Sequence, residues 1–138
     1  MLYSAPDDFR LVNEMQKSAV RNDDHNFRSQ CSIARTLELV GDKWTLLIIR
    51  DLMWHGKHTF QVLQESEERI PTNILSQRLK KLMQWGLVDR EPYQDRPVRY
   101  AYHLTETGRS LEPVLLQIMG WGHAQLDSGR RDREPARW

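Results

Sequence analysis

The segment 72–85 carries side chains that can bind a nucleic acid, spaced so that they share one face of a helix. Asn and Gln amides can form paired hydrogen bonds with adenine, and Lys can bind guanine or a phosphate. At 100° per residue, these polar side chains lie opposite a narrow apolar stripe of Leu75, Leu79 and Leu82. The candidate DNA-contacting residues of this helix are Thr72, Asn73, Ser76, Gln77, Lys80 and Lys81.

A basic hairpin is predicted immediately after this helix. Residues 87–90 and 98–104 have the composition of β-strands and flank a turn-forming stretch at 94–97. Arg96 and Arg99 stand near the tip of this hairpin. We expect them to bind backbone phosphates or the adjacent minor groove.

Positive charge is concentrated in the middle of the chain. The 138 residues have a formal net charge of +1, which alone does not indicate a nucleic-acid binder. Between positions 69 and 99, seven basic and three acidic residues give a net +4, so the remainder sums to −3. One cationic surface on a slightly acidic protein is what binding to phosphates requires.

Residue types that support catalysis or metal binding are sparse. A single cysteine, Cys31, allows neither an intrachain disulfide nor a cysteine-based metal cage. His55 and His58 share a loop but lack further ligands nearby in the sequence. Acidic residues cluster in one polar turn, which we expect to be solvated: Glu65, Glu67 and Glu68. The sequence therefore predicts no enzyme, no metal and no cofactor.

Membrane insertion and secretion are not indicated. No apolar run approaches the ~20 residues of a membrane span. The first ten residues lack the basic start and apolar stretch of a secretion signal. We therefore expect a cytoplasmic protein, in keeping with its single cysteine.

Capping signals define two helices before the polar turn. Gly41 is expected to end the first helix in the left-handed conformation. Asp42 is expected to cap a helix whose interior, residues 44–53, is apolar on nearly all sides. The first helix holds one apolar stripe, formed by Ile33, Leu37 and Val40.

Two further caps are threonines. Thr59 is expected to cap a short helix with Phe60 and Leu63 facing inward. Thr105 is expected to cap one long final helix with Glu106 and Arg109 in its first turn. The apolar surface of that helix is wider than a small domain needs to bury, and comprises Leu111, Val114, Leu115, Ile118, Met119 and Trp121.

The remaining organisation is a central domain with two appendages. Residues 1–30 form an N-terminal extension, with a short helix starting at Pro6-Asp7-Asp8 and a polar linker at 21–30. Residues 31–126 form the domain. The charged, proline-containing tail at 127–138 is expected to be disordered.

The order short helix, turn, two-faced helix and basic hairpin is typical of a winged helix-turn-helix. The predicted fold is mainly α with a small β hairpin, in the α+β class. A polar helix face alone is more often only solvated. Its combination with the basic hairpin favours DNA binding.

Several separate motifs resemble those of the HxlR-type family of bacterial winged-helix regulators, in the same order over residues 31–124. They are Cys31-Ser32-Ile33-Ala34-Arg35-Thr36-Leu37, Gly41-Asp42-Lys43-Trp44-Thr45, Ile70-Pro71-Thr72-Asn73-Ile74-Leu75, Arg78-Leu79, Trp85-Gly86-Leu87-Val88, Tyr100, and Leu104-Thr105-Glu106-Thr107-Gly108.

The resemblance implies a homodimeric repressor or activator of transcription. Its N- and C-terminal helices would dimerise, the helix at 72–85 would enter the major groove, and the hairpin would be the wing. A twofold dimer implies a pseudo-palindromic site on double-stranded DNA. The implied interface residues are Ile33, Leu37, Val114, Ile118 and Trp121.

Two alternatives stay open. Cys31 stands where many family members carry a cysteine, and some of those members resemble redox or electrophile sensors. The resemblance therefore makes Cys31 a candidate redox or electrophile sensor. The effector itself is not identified by the sequence. The competing interpretation is that the thiol only packs. The whole domain could instead be a winged-helix module that binds another protein, because such folds serve both purposes.

Overall fold

The computed structural model describes residues 26–127 and residue 129. The helix predicted at residue 6 and nearly all of the predicted tail lie outside these residues. Along the described chain the elements follow in this order: α1 (Ser32–Val40), α2 (Thr45–Trp54), α3 (Phe60–Gln64), α4 (Thr72–Gln84), β1 (Val88–Asp95), β2 (Val98–Leu104), α5 (Glu106–Arg109) and α6 (Glu112–Gln125).

The leucine stripe of α4 lies at the centre of the core. Leu75, Leu79 and Leu82 are 0%, 1% and 0% exposed. They share one cluster with α2, the hairpin and α6, to which Ile49, Val88, Leu104 and Leu115 belong. The stripe predicted from the sequence is thereby confirmed, and α4 is fixed along its back by packing.

The helix caps predicted at Asp42, Thr59 and Thr105 are present. Gly41 ends α1 as predicted, but in a different backbone conformation. Asp42 Oδ2 accepts hydrogen bonds from the backbone N–H groups of Trp44 and Thr45, at 3.0 and 3.1 Å. Gly41 was expected to be left-handed, but its φ is −77°. Its N–H donates to the Leu37 carbonyl, and an added Cβ would overlap that oxygen. Close approach, not a left-handed turn, therefore accounts for this glycine.

The end of α4 requires a glycine for the other reason. Gly86 has a φ of +76° and donates its N–H to the Met83 carbonyl, while the Leu87 N–H donates to the Leu82 carbonyl. This pair of bonds is the Schellman ending of a helix. It turns the chain directly into the hairpin.

The hairpin is longer than expected. β1 extends to Asp95 rather than position 90, so the turn is Arg96-Pro97 rather than 94–97. Most of β1 is exposed, and its charged residues and Pro92 hid the alternating pattern. An irregularity between Pro92 and Gln94 accommodates the proline in the strand.

The C-terminal helix is broken, contrary to the single long helix expected. Thr105 does act as a cap, accepting from the Gly108 N–H at 3.1 Å, but α5 ends at Arg109. Pro113 lies in the first turn of α6. Because proline has no N–H and its ring clashes with the preceding turn, a helix can start there but cannot continue through.

Candidate nucleic-acid interface

The front face of α4 is exposed along its length. Asn73, Gln77 and Lys80 lie opposite the buried leucines. Thr72 and Ser76 lie on the flank, and all five side chains are exposed. Asn73 and Gln77 are four residues apart and therefore lie one above the other on the helix surface. The structure thus presents donors and acceptors on a face whose back is held rigidly.

Two of the predicted contact residues also bond to other helices. Gln64 Nε2 donates to Thr72 Oγ1 at 2.5 Å, which joins α3 to the start of α4. Lys81 is half-buried, and its Nζ donates to the Glu38 carbonyl at the end of α1 at 2.8 Å. Lys81 is therefore less free to reach DNA than Lys80.

Asp42 and Arg78 form a link that the sequence analysis missed. Arg78 Nε lies 2.9 Å from Asp42 Oδ2, so the residue that caps α2 also holds the middle of α4. Burial acts to raise the pKa of Asp42, but bonds from Thr45, the Trp44 N–H and Arg78 outweigh it and lower that pKa. The carboxylate is charged at neutral pH. Thirty-six positions separate the pair, so local spacing carried no signal.

The polar turn before α4 is not simply solvated, which corrects the expectation for Glu68. Arg50 donates to both carboxylate oxygens of Glu68 at 2.9 and 2.8 Å. Arg50 and Asp51 are 7% and 3% exposed, so α2 is also less apolar than expected. The hydrogen bonds to Glu68 are the largest cause of the raised pKa of Arg50, so the guanidinium stays charged.

Asp51 joins the same network. Its Oδ1 accepts from Arg50 Nε at 3.0 Å, and its Oδ2 accepts from Ser66 Oγ at 2.5 Å. Lys57 Nζ in turn donates to Ser66 at 2.7 Å. The buried charges of α2 are thereby paired, and both Ser66 and Glu68 of the turn are attached to that helix.

His55 and His58, which share a loop, each form a hydrogen bond to a different neighbouring residue. His55 Nδ1 lies 3.0 Å from Asp51 Oδ1, and His58 Nδ1 lies 2.9 Å from the Tyr102 carbonyl. The His58 and His103 rings are 4.8 Å apart. Within residues 26–127, no group of three or more potential metal ligands comes together.

The wing places its arginines at the far end of the hairpin. Arg96 occupies the turn and Arg99 pairs with Gln94 in the strand register, and both are exposed. Arg90, which the sequence analysis did not select, stacks over the Tyr100 ring at 3.9 Å. β2 also bonds on its other side, where the Tyr102 N–H donates to the His58 carbonyl at 2.7 Å. The wing is thus attached just before α3.

The predicted interface residues are mostly exposed. Ile33 is 72% exposed and Leu37 51% on α1, while Ile118 is 51% and Trp121 64% on α6. Val114 is half-buried. Cys31 is exposed immediately before α1. None of the described helices is both long and apolar enough to span a membrane.

Comparison with known proteins identifies the family. A family model described as HxlR-like helix-turn-helix matches residues 39–130, about two thirds of the chain. The chain belongs to the HxlR-like helix-turn-helix family. An HTH-type transcriptional regulator of Mycobacterium tuberculosis is 41% identical over 108 residues, covering 78% of this chain and 66% of the relative. The match therefore spans just under two thirds of that relative's length.

Solved structures of two transcription regulators support the fold. The reduced form of the transcriptional regulator YodB from Bacillus subtilis superposes with a TM-score of 0.59 at 31% identity, covering 74% of this chain and all of YodB. The oxidised form of the redox regulator HypR gives a TM-score of 0.63 at 34% identity, covering 70% and 99%. The winged-helix fold predicted from the sequence is confirmed. Cys31 precedes the stretch that the HxlR model matches.

The bond between Asp42 and Arg78 predicts a pH-dependent contribution to stability. Asp42→Ala should lower the free energy of unfolding by about 1–2 kcal/mol, because the α2 cap is lost. Asp42→Asn keeps a capping oxygen and should cost less. The pKa of Asp42 is lowered on folding, so its charge stabilises above the ordinary value of 3.8 and this stabilisation is lost as pH falls through the folded-state pKa.

Urea unfolding of the parent and both variants at neutral and acidic pH tests this. The difference between the parent and Asp42→Asn should shrink below the ordinary carboxyl pKa. An equal difference at both pH values would show that the charge of Asp42 contributes nothing.

Proposed function

We propose that this protein is a homodimeric transcription regulator that binds double-stranded DNA sequence-specifically through α4 and the hairpin. The observation that carries the proposal is the two-sided character of α4: a leucine back that is almost wholly buried, and a front of five exposed polar side chains. The major groove admits one α-helix, and a helix held by its back presents its front to the base edges.

Base recognition is assigned to the first half of α4. In helix-turn-helix proteins the N-terminal residues of the second helix contact the bases. Asn73 and Gln77 are the amides in this half, and each can form a bidentate pair with adenine. Lys80 lies one turn further along and can bind guanine or a phosphate.

The wing supplies contacts that do not depend on sequence. Arg96 and Arg99 are exposed at the hairpin tip, and guanidinium groups bind phosphates or a narrow minor groove. The hydrogen bond between Tyr102 and His58 holds the wing beside α3. One rigid unit would then contact DNA both through α4 and through the wing.

The dimer is assigned to α1 and α6. Single exposed apolar side chains are normal, but four large ones on α1 and α6 support the proposal that a partner covers this surface. They are Ile33, Leu37, Ile118 and Trp121, with the half-buried Val114 beside them in the proposal. A twofold dimer would read two half-sites spaced by about one or more helical turns.

Cys31 is proposed as an oxidant-sensitive site. Its thiol is exposed, and Arg35, in the first turn of α1, bonds to the Ser29 carbonyl and to Gln30, so the segment carrying the thiol is ordered by that helix. A related solved protein is named a redox regulator. With one cysteine per chain, any disulfide would join two molecules.

A second candidate function is binding to another protein. Tyr93 and Val98 are 54% and 53% exposed on the hairpin, and apolar side chains of this size also suit a protein partner. Binding to duplex DNA that weakens steeply with salt distinguishes the two functions, because counterion release is specific to the nucleic acid.

Variants on α4 and the wing should have different effects on DNA binding. Gln77→Ala should change base preference by about 1–3 kcal/mol. Arg99→Gln should weaken all duplexes alike and reduce the slope of log affinity against log salt by about 0.9 per contact. Combining Gln77→Ala, Lys80→Ala and Arg99→Ala should abolish binding.

Fluorescence anisotropy with random and selected duplexes measures these effects. Gln84→Ala is the matched control, because Gln84 is exposed at the far end of the same helix. A triple variant that binds duplex DNA as well as the parent would refute the assignment of α4 and the wing.

The proposed dimer should be broken by a charge in its interface. Ile118→Asp would bury an unpaired carboxylate, so sedimentation should show monomers. Val62→Asp is the matched control, because Val62 is exposed on α3, outside the proposed interface. An undisturbed Ile118→Asp dimer would contradict the assignment of α6.

The proposed thiol response predicts a loss of DNA binding on treatment with hydrogen peroxide. Cys31→Ser should bind DNA like the parent beforehand and keep its affinity afterwards, because the oxidisable sulfur is gone. Anisotropy before and after peroxide measures both states. A parent and variant that respond equally would exclude Cys31 as the sensor.

A further inference from the structure

Arg69, in the turn between α3 and α4, has an unfavourable backbone conformation. Its φ is +55°, and it is the sole non-glycine residue with a positive φ in the described part of the chain. A side chain disfavours this region, which glycine adopts without strain and asparagine adopts more readily than arginine. A strained residue of this kind points to a role beyond the fold.

The residues on both sides of Arg69 are attached to the core. Glu68 is bonded to Arg50 by two hydrogen bonds, and Ile70 is 8% exposed. The Arg69 N–H donates to the Ser66 carbonyl at 2.9 Å. With its neighbours held inward, Arg69 presents its side chain to solvent, where it is exposed.

The guanidinium of Arg69 also differs from those of other arginines near α4. Arg50 and Arg78 each form an ion pair with an acidic residue. Among the residues that the structure describes, Arg69 has no ion-pair partner. Its charge is therefore available to a ligand, and contributes to the net positive charge of the segment 69–99.

Arg69 lies next to the part of α4 assigned to base recognition. It stands three positions before Thr72, so the two Cα atoms are at most about 11 Å apart. Helix-turn-helix proteins place phosphates of the flanking backbone beside the N-terminal part of the recognition helix. An exposed, unpaired cation at this position lies where such a phosphate passes.

We propose that Arg69 is a further DNA-binding residue, which binds a backbone phosphate at the edge of the groove that α4 enters. This inference rests on the proposed function. The rigid turn directs the guanidinium outward, and the strain at Arg69 is retained because a glycine there would leave the phosphate without a partner.

A competing role for Arg69 is to offset nearby negative charge. Glu65 and Glu67 are exposed in the same turn, and their carboxylates would repel phosphates. If Arg69 only reduced that repulsion, removing both carboxylates would make the arginine dispensable. If Arg69 binds a phosphate, it matters in either background.

The test measures affinity for a random-sequence duplex as a function of salt, together with the melting temperature. Arg69→Asn should reduce the slope of log affinity against log salt by about 0.9 per protomer, and the affinity about fivefold per protomer at ~0.15 M salt. Its melting temperature should equal or exceed that of the parent, because asparagine relieves the backbone strain. Arg69→Lys keeps the charge and should keep the slope.

The same substitution in a Glu65→Gln, Glu67→Gln background separates the two roles. An undiminished loss of slope supports the phosphate contact. A loss that disappears in this background, an unchanged slope in Arg69→Asn, or weaker binding that accompanies a lower melting temperature would each overturn it. If the parent binds duplex DNA and Arg69→Asn shows the same dependence of log affinity on log salt as the parent, only this inference fails. If the parent does not bind duplex DNA, the proposed function fails as well.

Discussion

The charge of Arg50 is held almost out of contact with water, and the geometry of the surface proposed to bind DNA depends on how that charge is compensated. Burying an unpaired guanidinium would cost several kcal/mol, whereas a paired one contributes little net stability. Asp51 satisfies it from the same helix and Glu68 from the turn before α4. The pairing with Glu68 therefore attaches the turn to α2. The expected effect of this network is to favour one arrangement of the turn, because a paired buried charge adds little stability.

The fixed turn is one of several restraints on α4. The leucines on the back of α4 pack in the core. The start of α4 is hydrogen-bonded to Gln64 of α3, and Arg78 in its middle is bonded to Asp42, the cap of α2. Its end is closed by the Schellman bonds around Gly86. A side chain that reads bases must be held to a fraction of an ångström, and rigid support from several neighbours provides this. More residues contribute to fixing the position of α4 than stand on its exposed face.

Features that one local pattern determines could be predicted from the sequence. The leucine stripe, the caps at Asp42, Thr59 and Thr105, and the order of helices and hairpin all follow from spacing within a few residues. Features whose decisive partner is distant along the chain could not be predicted in this way. Nothing near Glu68 indicates that it reaches Arg50, eighteen positions earlier, and so the polar turn was expected to be solvated. The break before α6 was readable from Pro113, but apolar periodicity outweighed it.

The support for α4 also links the proposed DNA recognition to the proposed dimer. Lys81 donates to the last turn of α1 at the Glu38 carbonyl, and α1 carries Ile33 and Leu37 on its exposed side. In a twofold dimer built on α1 and α6, any rotation of α1 against its partner would therefore pull on α4. The spacing of the two recognition helices would change with it, and affinity for a site of fixed half-site spacing would fall. Cys31 precedes α1 directly, so the proposed modification of its thiol would act beside a helix that is hydrogen-bonded to α4 and is assigned to the proposed interface. A small chemical change there could be amplified because the interface and the groove contacts must be satisfied together.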